Sequence, residues 1–144
     1  LALKENTEMK KSEIADIVAE KLEMVGLPNI QKMRPSDLSG GMKKRVSLAR
    51  SLATNPEYIL YDEPTTGLDP VMSDQIDELI KDLAHKLKVT SIVVTHDIFS
   101  VYDVADQVAM MHEGKIYFHG TPKELIETDD QLIRGFLNRT DKRI

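Results

Sequence analysis

The sequence predicts an α/β fold in which a short parallel sheet is followed by an antiparallel hairpin. Two apolar runs, Tyr58–Asp62 and Thr90–Thr95, have the length and residue content of buried strands. An amphipathic helical pattern lies between them, and strands joined by a helical crossover pair in parallel. The residues on both sides of Glu113-Gly114 are typical of the two strands of a hairpin.

Composition limits the kinds of protein this chain can be. Its 144 residues are enough for one domain, with 41% hydrophobic and 30% charged residues. The net charge of −5 argues against a basic nucleic-acid-binding face, so we expect no nucleic-acid partner. Without cysteine there is no disulfide framework and no thiolate metal site. The apolar runs are far shorter than the roughly 20 residues of a membrane span, so we expect a cytoplasmic protein that reaches a membrane only through a partner.

Two helices are predicted before the first strand. Residues 9–25 carry apolar side chains at helical spacing, and Gly26 and Pro28 end the pattern in the expected order. After a loop rich in turn formers, a second helix is predicted from near Ser39 to about Thr54.

The helix between the two strands is predicted to start at Asp69-Pro70, an N-cap followed by proline at the first helical position. The remaining predicted elements are helices over 98–104 and 130–138, hairpin strands over Gln107–His112 and Lys115–His119, and a short helix opened by the capping box Thr121–Glu124.

A serine and two glycines stand at the predicted start of the second helix, in Leu38–Met42 (LSGGM). Backbone N–H groups at the positive end of a helix, together with the Ser39 hydroxyl, can bind a phosphate, and Gly40 and Gly41 leave those N–H groups bare. Serine is also a common N-cap, and glycines at a helix start can simply make a turn. On the residues alone both interpretations stay open.

An acid pair ends the first strand, at the edge where open α/β sheets bind their ligands. In the catalytic interpretation Asp62 holds Mg²⁺, through water, and Glu63 polarises the attacking water. His96 ends the second strand; beside the acid pair it could hydrogen-bond a terminal phosphate. The alternatives are a solvated strand-end turn and a structural histidine. Asp69 is explained by its N-cap role, and residue type alone does not resolve a further one.

Taken together, the motifs resemble the nucleotide-binding subunit of ABC transporters over nearly the whole chain. Leu38–Met42 matches the signature motif, and Tyr58–Pro64 (YILYDEP) matches Walker B with its catalytic glutamate. Thr66–Asp69 (TGLD) matches the D-loop, and Val93–Asp97 (VVTHD) matches the switch-histidine motif. The resemblance implies a P-loop-NTPase-like, mostly parallel sheet, with ATP and Mg²⁺ as cofactors.

In that family the ATP sites form between two subunits, which implies a second ATPase subunit as a partner. An integral membrane permease is the other implied partner, and it would hold the protein at the cytoplasmic face of the bacterial inner membrane. The residues carried over by the resemblance are Glu63 and His96 as catalytic groups, Asp62 as the metal ligand, and Ser39, Gly40, Gly41 and Asp69 as nucleotide-binding residues.

The sequence contains no Gly-x-x-x-x-Gly-Lys-[Ser/Thr] P-loop, since its Gly-Lys pair, Gly114-Lys115, is followed by Ile116. We therefore expect an N-terminally truncated fold that lacks the P-loop strand and leaves an exposed sheet edge or face. Residues 1–42 would be the end of the helical subdomain with the signature motif, and 43–144 the C-terminal part of the ATPase core. Weak ATP binding and little hydrolysis are expected of these residues alone.

Met42 followed by Lys43–Arg45 resembles the branch of the family that powers lipid and toluene-tolerance (Mce-type) transport, which implies a phospholipid substrate. Two alternatives stay open. One is a soluble ABC-type ATPase of DNA repair or chromosome organisation, although sustained heptads and a basic face are missing. The other is a non-catalytic, truncated binding module, against which the intact Glu63 and His96 argue.

Overall fold

The computed structural model describes residues 3–4 and 8–140, and the chain divides into two compact units, Leu1–Val94 and Thr95–Ile144. The elements of the first unit are α1 (Lys11–Met24), a 3₁₀ turn (Pro35–Asp37), α2 (Gly40–Leu52), β1 (Tyr58–Asp62), α3 (Pro70–Leu87) and β2 (Thr90–Val94). Those of the second unit are α4 (Ile98–Val104), β3 (Val108–His112), β4 (Lys115–Gly120), α5 (Pro122–Glu127) and α6 (Gln131–Thr140).

Strands β1 and β2 pair in parallel, so that Tyr58 lies opposite Thr90 and Asp62 lies opposite Val94. The crossover between them is α3, which confirms the predicted βαβ unit. Lys88 takes a left-handed conformation at φ 53° directly after α3, and this turn ends the helix.

One face of this sheet is apolar and exposed. Side chains of β1 alternate: Ile59 and Tyr61 are buried, whereas Leu60 is 75% exposed. On β2, Ile92 and Val94 are also more than half exposed. The apolar content of the two strands predicted that both faces of the sheet are buried. This is wrong for the face that bears Leu60, Ile92 and Val94. An exposed face is, however, what we expected of a sheet that lacks the P-loop strand.

The core of the first unit lies among the helices. Leu22 and Val25 are buried at the end of α1, while Leu48 and Leu52 are buried on α2. Arg45 of α2 donates through Nη1 to the Val25 carbonyl at 3.0 Å, beyond the last turn of α1. Helix α3 contributes its own fully buried residues to the core, namely Ile76 and Ile80.

The second unit contains the predicted antiparallel hairpin. Val108 pairs with Gly120 and Met110 with Phe118, and the register shifts between Met110 and Met111. Both turn residues, Glu113-Gly114, have positive φ, at 47° and 74°, as a two-residue hairpin turn requires.

The predicted capping box is present at the start of α5. The Glu124 N–H donates to the Thr121 hydroxyl at 3.2 Å, and the Glu124 carboxylate accepts from the Thr121 N–H at 2.7 Å. Within the described part of the chain, no helix is long and apolar enough to cross a membrane. The first compact unit ends at Val94 in the sequence, whereas the division predicted at residue 42 concerns subdomains of a family and stays a prediction.

Candidate nucleotide site

The N-terminus of α2 is capped by Ser39, whose hydroxyl accepts from the Met42 N–H at 3.2 Å. The N-cap interpretation of this serine is therefore confirmed. Capping uses the oxygen as an acceptor and leaves the hydroxyl hydrogen available for an anion. Gly40 and Gly41 are the first two helical residues, and first-turn N–H groups have no carbonyl partner inside a helix. Since Ser39 and Gly40 are exposed, an anion has access to this positive helix end.

The two glycines have different surroundings. Gly41 is buried, and an added Cβ would collide with the terminal methyl of Met72 on α3. At Gly40 the nearest atom to an added Cβ is Leu68 Cδ2, at 3.9 Å, which is ordinary contact. A side chain at position 41 would therefore have to displace the flexible end of Met72, whereas at position 40 it would meet no close atom.

Asp62 is the last residue of β1 and its side chain is exposed, on the same face as Leu60. Together with Lys44 of α2 it lines an open cavity of about 620 Å³. Among the described residues, no three or more His, Asp and Glu side chains come together as a metal site. A single exposed carboxylate nevertheless suits Mg²⁺, which commonly keeps several waters and takes its remaining ligands from substrate phosphates.

Glu63 follows directly, in a left-handed backbone conformation with φ 48°. Its N–H donates to the Val94 carbonyl at 2.9 Å, which extends the β1–β2 ladder by one bond. Its own carbonyl accepts from Lys44 Nζ at 3.0 Å, and its carboxylate accepts from the Thr66 hydroxyl at 2.8 Å. Glu63 is therefore fixed by hydrogen bonds at its N–H, at its carbonyl and at its half-buried side chain.

Asp69 is exposed and caps α3, its carboxylate accepting from the Met72 N–H at 3.0 Å. The N-cap predicted from Asp69-Pro70 is confirmed. Contact of Asp69 with a nucleotide stays a prediction. The loop before it turns at Gly67, where φ is 80°.

His96 is exposed and lies two residues beyond the end of β2, in the second compact unit. Its neighbours in sequence are ordered by hydrogen bonds, since the Asp97 N–H donates to the Thr95 hydroxyl at 3.0 Å. Asp97 also caps α4 by accepting from the Phe99 N–H at 3.0 Å. The first unit contains the other predicted site residues, which are Ser39, Gly40, Gly41, Asp62, Glu63 and Asp69.

Two side chains that contact Glu63 were missed by sequence reasoning. They are Lys44 and Thr66. A signal for Lys44 was present: it stands four residues before Leu48, on the face of α2 that Leu48 buries. A lysine in line with a buried leucine indicates a polar partner inside the fold. Thr66 gave no comparable signal, because its contact depends on the turn that the loop makes.

A parallel βαβ unit with an acid pair at its carboxyl edge, and an exposed helix N-terminus beside it, defines the class of α/β nucleotide-binding domains. Comparison with known proteins makes the family specific. The family model described as ABC transporter matches residues 1–66. With the relatives below, this confirms the resemblance to the ABC transporter ATP-binding family that the motifs indicated.

Curated relatives match nearly the whole chain. A probable ribonucleotide transport ATP-binding protein, mkl of Mycobacterium leprae, is 41% identical over 136 residues, which are 94% of this chain and 39% of the relative. The intermembrane phospholipid transport system ATP-binding protein MlaF of Haemophilus influenzae is 41% identical over 135 residues, 94% of this chain and 51% of the relative. The chain thus spans about two fifths to one half of the length of these relatives.

Solved structures confirm the fold class. The structure of cbiO1 from Clostridium perfringens, part of the ABC transporter complex cbiONQ, aligns with a TM-score of 0.79 at 33% identity, over 96% of this chain and 55% of that chain. The dimeric, post-hydrolysis structure of the ATP-binding cassette MJ0796, bound to ADP and Pi, aligns with a TM-score of 0.68 at 32% identity, over 81% of this chain and 50% of that chain.

Proposed function

We propose that this chain is part of the ATPase subunit of an ABC transporter, in which Mg-ATP hydrolysis is coupled to transport across a membrane. The observation that carries the proposal is that α2 links two candidate site regions of the first unit, its own N-terminus and the end of β1. Its exposed N-terminus presents Ser39 and bare backbone amides, and its second turn contacts the strand end that bears Asp62 and Glu63. Both curated relatives described above are named as ATP-binding proteins of transport systems.

The proposed ATP site is shared between two subunits. Ser39, Gly40 and Gly41 would bind the nucleotide of a partner subunit through the N–H groups and dipole of α2, since this helix end is open to solvent. Asp69, at the start of α3, would border the same subunit contact. A dimeric arrangement is supported by the structure of MJ0796, which is described as dimeric and as bound to ADP and Pi.

The acid pair would act on the nucleotide held by its own subunit. Asp62 would bind Mg²⁺ beside water and phosphate oxygens, and the ion would neutralise charge on the phosphates. Glu63 would orient the attacking water and take up its proton. His96 would donate a hydrogen bond to the terminal phosphate and keep it in line with the water.

We infer further that these 144 residues alone bind ATP weakly. A P-loop supplies the backbone amides and the lysine that hold the phosphates, and the sequence does not contain that motif. Titration calorimetry of the chain with Mg-ATP should show binding weaker than micromolar. Micromolar affinity would contradict the inference, and a protein that contains a P-loop is the positive control.

For the transported substrate we propose a phospholipid. Two observations support this choice: the Met42–Arg45 run after the signature glycines, and the relative named as part of an intermembrane phospholipid transport system. The ribonucleotide named for the mycobacterial relative is the competing substrate class. Organic extraction of the purified transporter, followed by mass spectrometry, should yield bound phospholipid; a preparation that yields ribonucleotide instead would favour the second class.

The proposed partners are a second ATPase subunit and an integral membrane permease, which would place the protein at the cytoplasmic face of the bacterial inner membrane. The membrane contact belongs to the permease in this proposal, and the net charge of −5 argues against a nucleic-acid partner. Co-purification with a permease would support transport, whereas binding to DNA ends would support a repair or chromosome ATPase. That alternative is not favoured, because the relatives described above are named for transport.

The test of the catalytic proposal is Glu63→Gln in the whole protein, meaning the complete ATPase subunit to which these residues belong. The amide cannot take up the proton of the attacking water, so turnover should fall by roughly 10²–10⁴-fold while ATP binding is kept. Glu57→Gln is the matched control, since Glu57 is exposed and lies one residue before β1. Unchanged turnover in Glu63→Gln would refute the proposed role of Glu63.

A further inference from the structure

The backbone of Glu63 is held in a conformation that this residue type rarely adopts. A non-glycine residue at φ 48° is strained, and such residues persist where the surrounding structure fixes them from several sides. Here one side is β2, where the Val94 carbonyl accepts from the Glu63 N–H at 2.9 Å. The direction of the Glu63 carboxylate depends on this backbone conformation, because χ1 starts from it.

The other side is α2, through Lys44. Its ammonium group donates to the Glu63 carbonyl at 3.0 Å and is partly buried. The same carbonyl accepts the Thr66 N–H at 3.3 Å, so Lys44 adds the charge-assisted bond to an otherwise ordinary turn. A charged donor in a partly desolvated place binds a carbonyl more strongly than a backbone amide does, and it resists rotation of the Glu63-Pro64 peptide.

Lys44 also belongs to the helix that starts at the signature serine. It is five residues after Ser39, in the second turn of α2, and an α-helix transmits a displacement of its N-terminus along its axis as a nearly rigid body. A shift of the Ser39 end would therefore move the ammonium group that holds the Glu63 carbonyl.

We propose that Lys44 is a positioning residue for the reaction: its ammonium group fixes the left-handed turn at Glu63 and thereby aims the carboxylate at the attacking water. In this role Lys44 acts through the Glu63 backbone rather than directly on the nucleotide or the water. This inference rests on the proposed function, because it requires Glu63 to be the group that acts on water.

The test compares Lys44→Met, Lys44→Arg and Lys43→Met in the whole protein. Methionine keeps the length of the lysine stem but has no donor, while arginine keeps a charged donor. Lys43 is exposed on the same helix, which makes it the matched control for loss of one positive charge. Steady-state ATPase rates give kcat and KM, and thermal melting reports stability for each variant.

Lys44→Met should lower kcat by about tenfold, the effect of losing one charge-assisted hydrogen bond worth about 1.4 kcal/mol in the transition state. Its KM should match that of Lys43→Met, because ATP binding does not need an aimed carboxylate, whereas the lost charge-assisted bond should lower its melting temperature. Lys44→Arg should recover most of kcat.

Three results would overturn the inference. In the first, Lys44→Met and Lys43→Met have the same kcat. In the second, Lys44→Met loses kcat together with ATP affinity, and Lys44→Arg fails to restore kcat, so that the lysine is only structural. The third is unchanged turnover in Glu63→Gln, which removes the proposed role of Glu63 as well. The first two leave that role intact, so the two failures can be told apart.

Discussion

Replacing Arg45 by methionine should destabilise the chain by about 2 kcal/mol. The guanidinium of this residue donates to the Val25 carbonyl at 3.0 Å and to the Gln75 side-chain oxygen at 3.3 Å, and it thus connects α1, α2 and α3. Val25 is fully buried and caps the C-terminus of α1, where carbonyl groups lack helical partners. Methionine fills the space of the arginine stem and leaves this carbonyl without its charged donor.

The magnitude follows from the two bonds. A hydrogen bond from a charged donor contributes about 1.5–3 kcal/mol, and a cation at a helix C-terminus adds roughly 0.3–1 kcal/mol. The bond to Gln75 is long and exposed, so we assign it no more than about 0.5 kcal/mol. Loss of the Val25 bond therefore accounts for most of the effect.

Urea unfolding followed by circular dichroism measures the change. With a slope of about 1–3 kcal/mol per molar urea, the midpoint should fall by about 1 M in Arg45→Met. Gln75→Ala is the matched control, since it breaks the exposed bond and leaves the Val25 bond in place. If Arg45→Met and Gln75→Ala had the same urea midpoint, the Val25 bond would contribute nothing beyond the Gln75 bond. That result would refute the reasoning.

Two further predictions concern the α2–α3 contact and the C-terminal unit. Gly41→Ala should change the stability of the chain by less than about 1 kcal/mol, because the gain in helix propensity offsets displacement of the flexible Met72 methyl, and in a Met72→Ala background the same change should be stabilising in urea. Bonds from the backbone N–H groups of Thr121 and Ile133 hold the pKa values of the Glu124 and Asp130 carboxyls below their ordinary 4.5 and 3.8. A carboxylate whose pKa is lowered by folding stabilises the chain above its ordinary pKa, and this stabilisation is lost as the pH falls through the lowered pKa. Helicity should therefore fall as the pH drops below the ordinary 4.5 of Glu124, and it should fall less in Glu124→Gln.

Patterns within one element were sufficient for most of the fold. The prolines at positions 70 and 122 and the caps before them predicted where α3 and α5 begin, because a cap and the first turn it satisfies are adjacent in sequence. The Glu113-Gly114 turn predicted the hairpin for the same reason. Each of these signals depends on neighbours a few residues away.

Contacts between elements could not be read in this way. Strand β1 is buried on a single face, and which face that is depends on what covers the sheet. The sequence did not show the alternation of Ile59 and Tyr61 with exposed neighbours, because Tyr58 and Leu60 are large and largely apolar too. The Lys44 bond to Glu63 spans 19 positions, and although the position of Lys44 on its helix indicates a polar partner, the residue types do not specify Glu63. The candidate site was predicted as a set of residues but not as a set of contacts.

The run from Met42 to Arg45 now has a physical explanation that does not involve the transported substrate. Consecutive residues on a helix point about 100° apart, so Lys43, Lys44 and Arg45 face in three directions. Lys43 faces solvent, Lys44 holds the turn at Glu63, and Arg45 holds the end of α1. Two of the three basic residues are therefore accounted for by contacts inside the first unit. The case for a phospholipid substrate then depends mainly on the phospholipid-transport relative, and extraction of bound lipid is the decisive experiment.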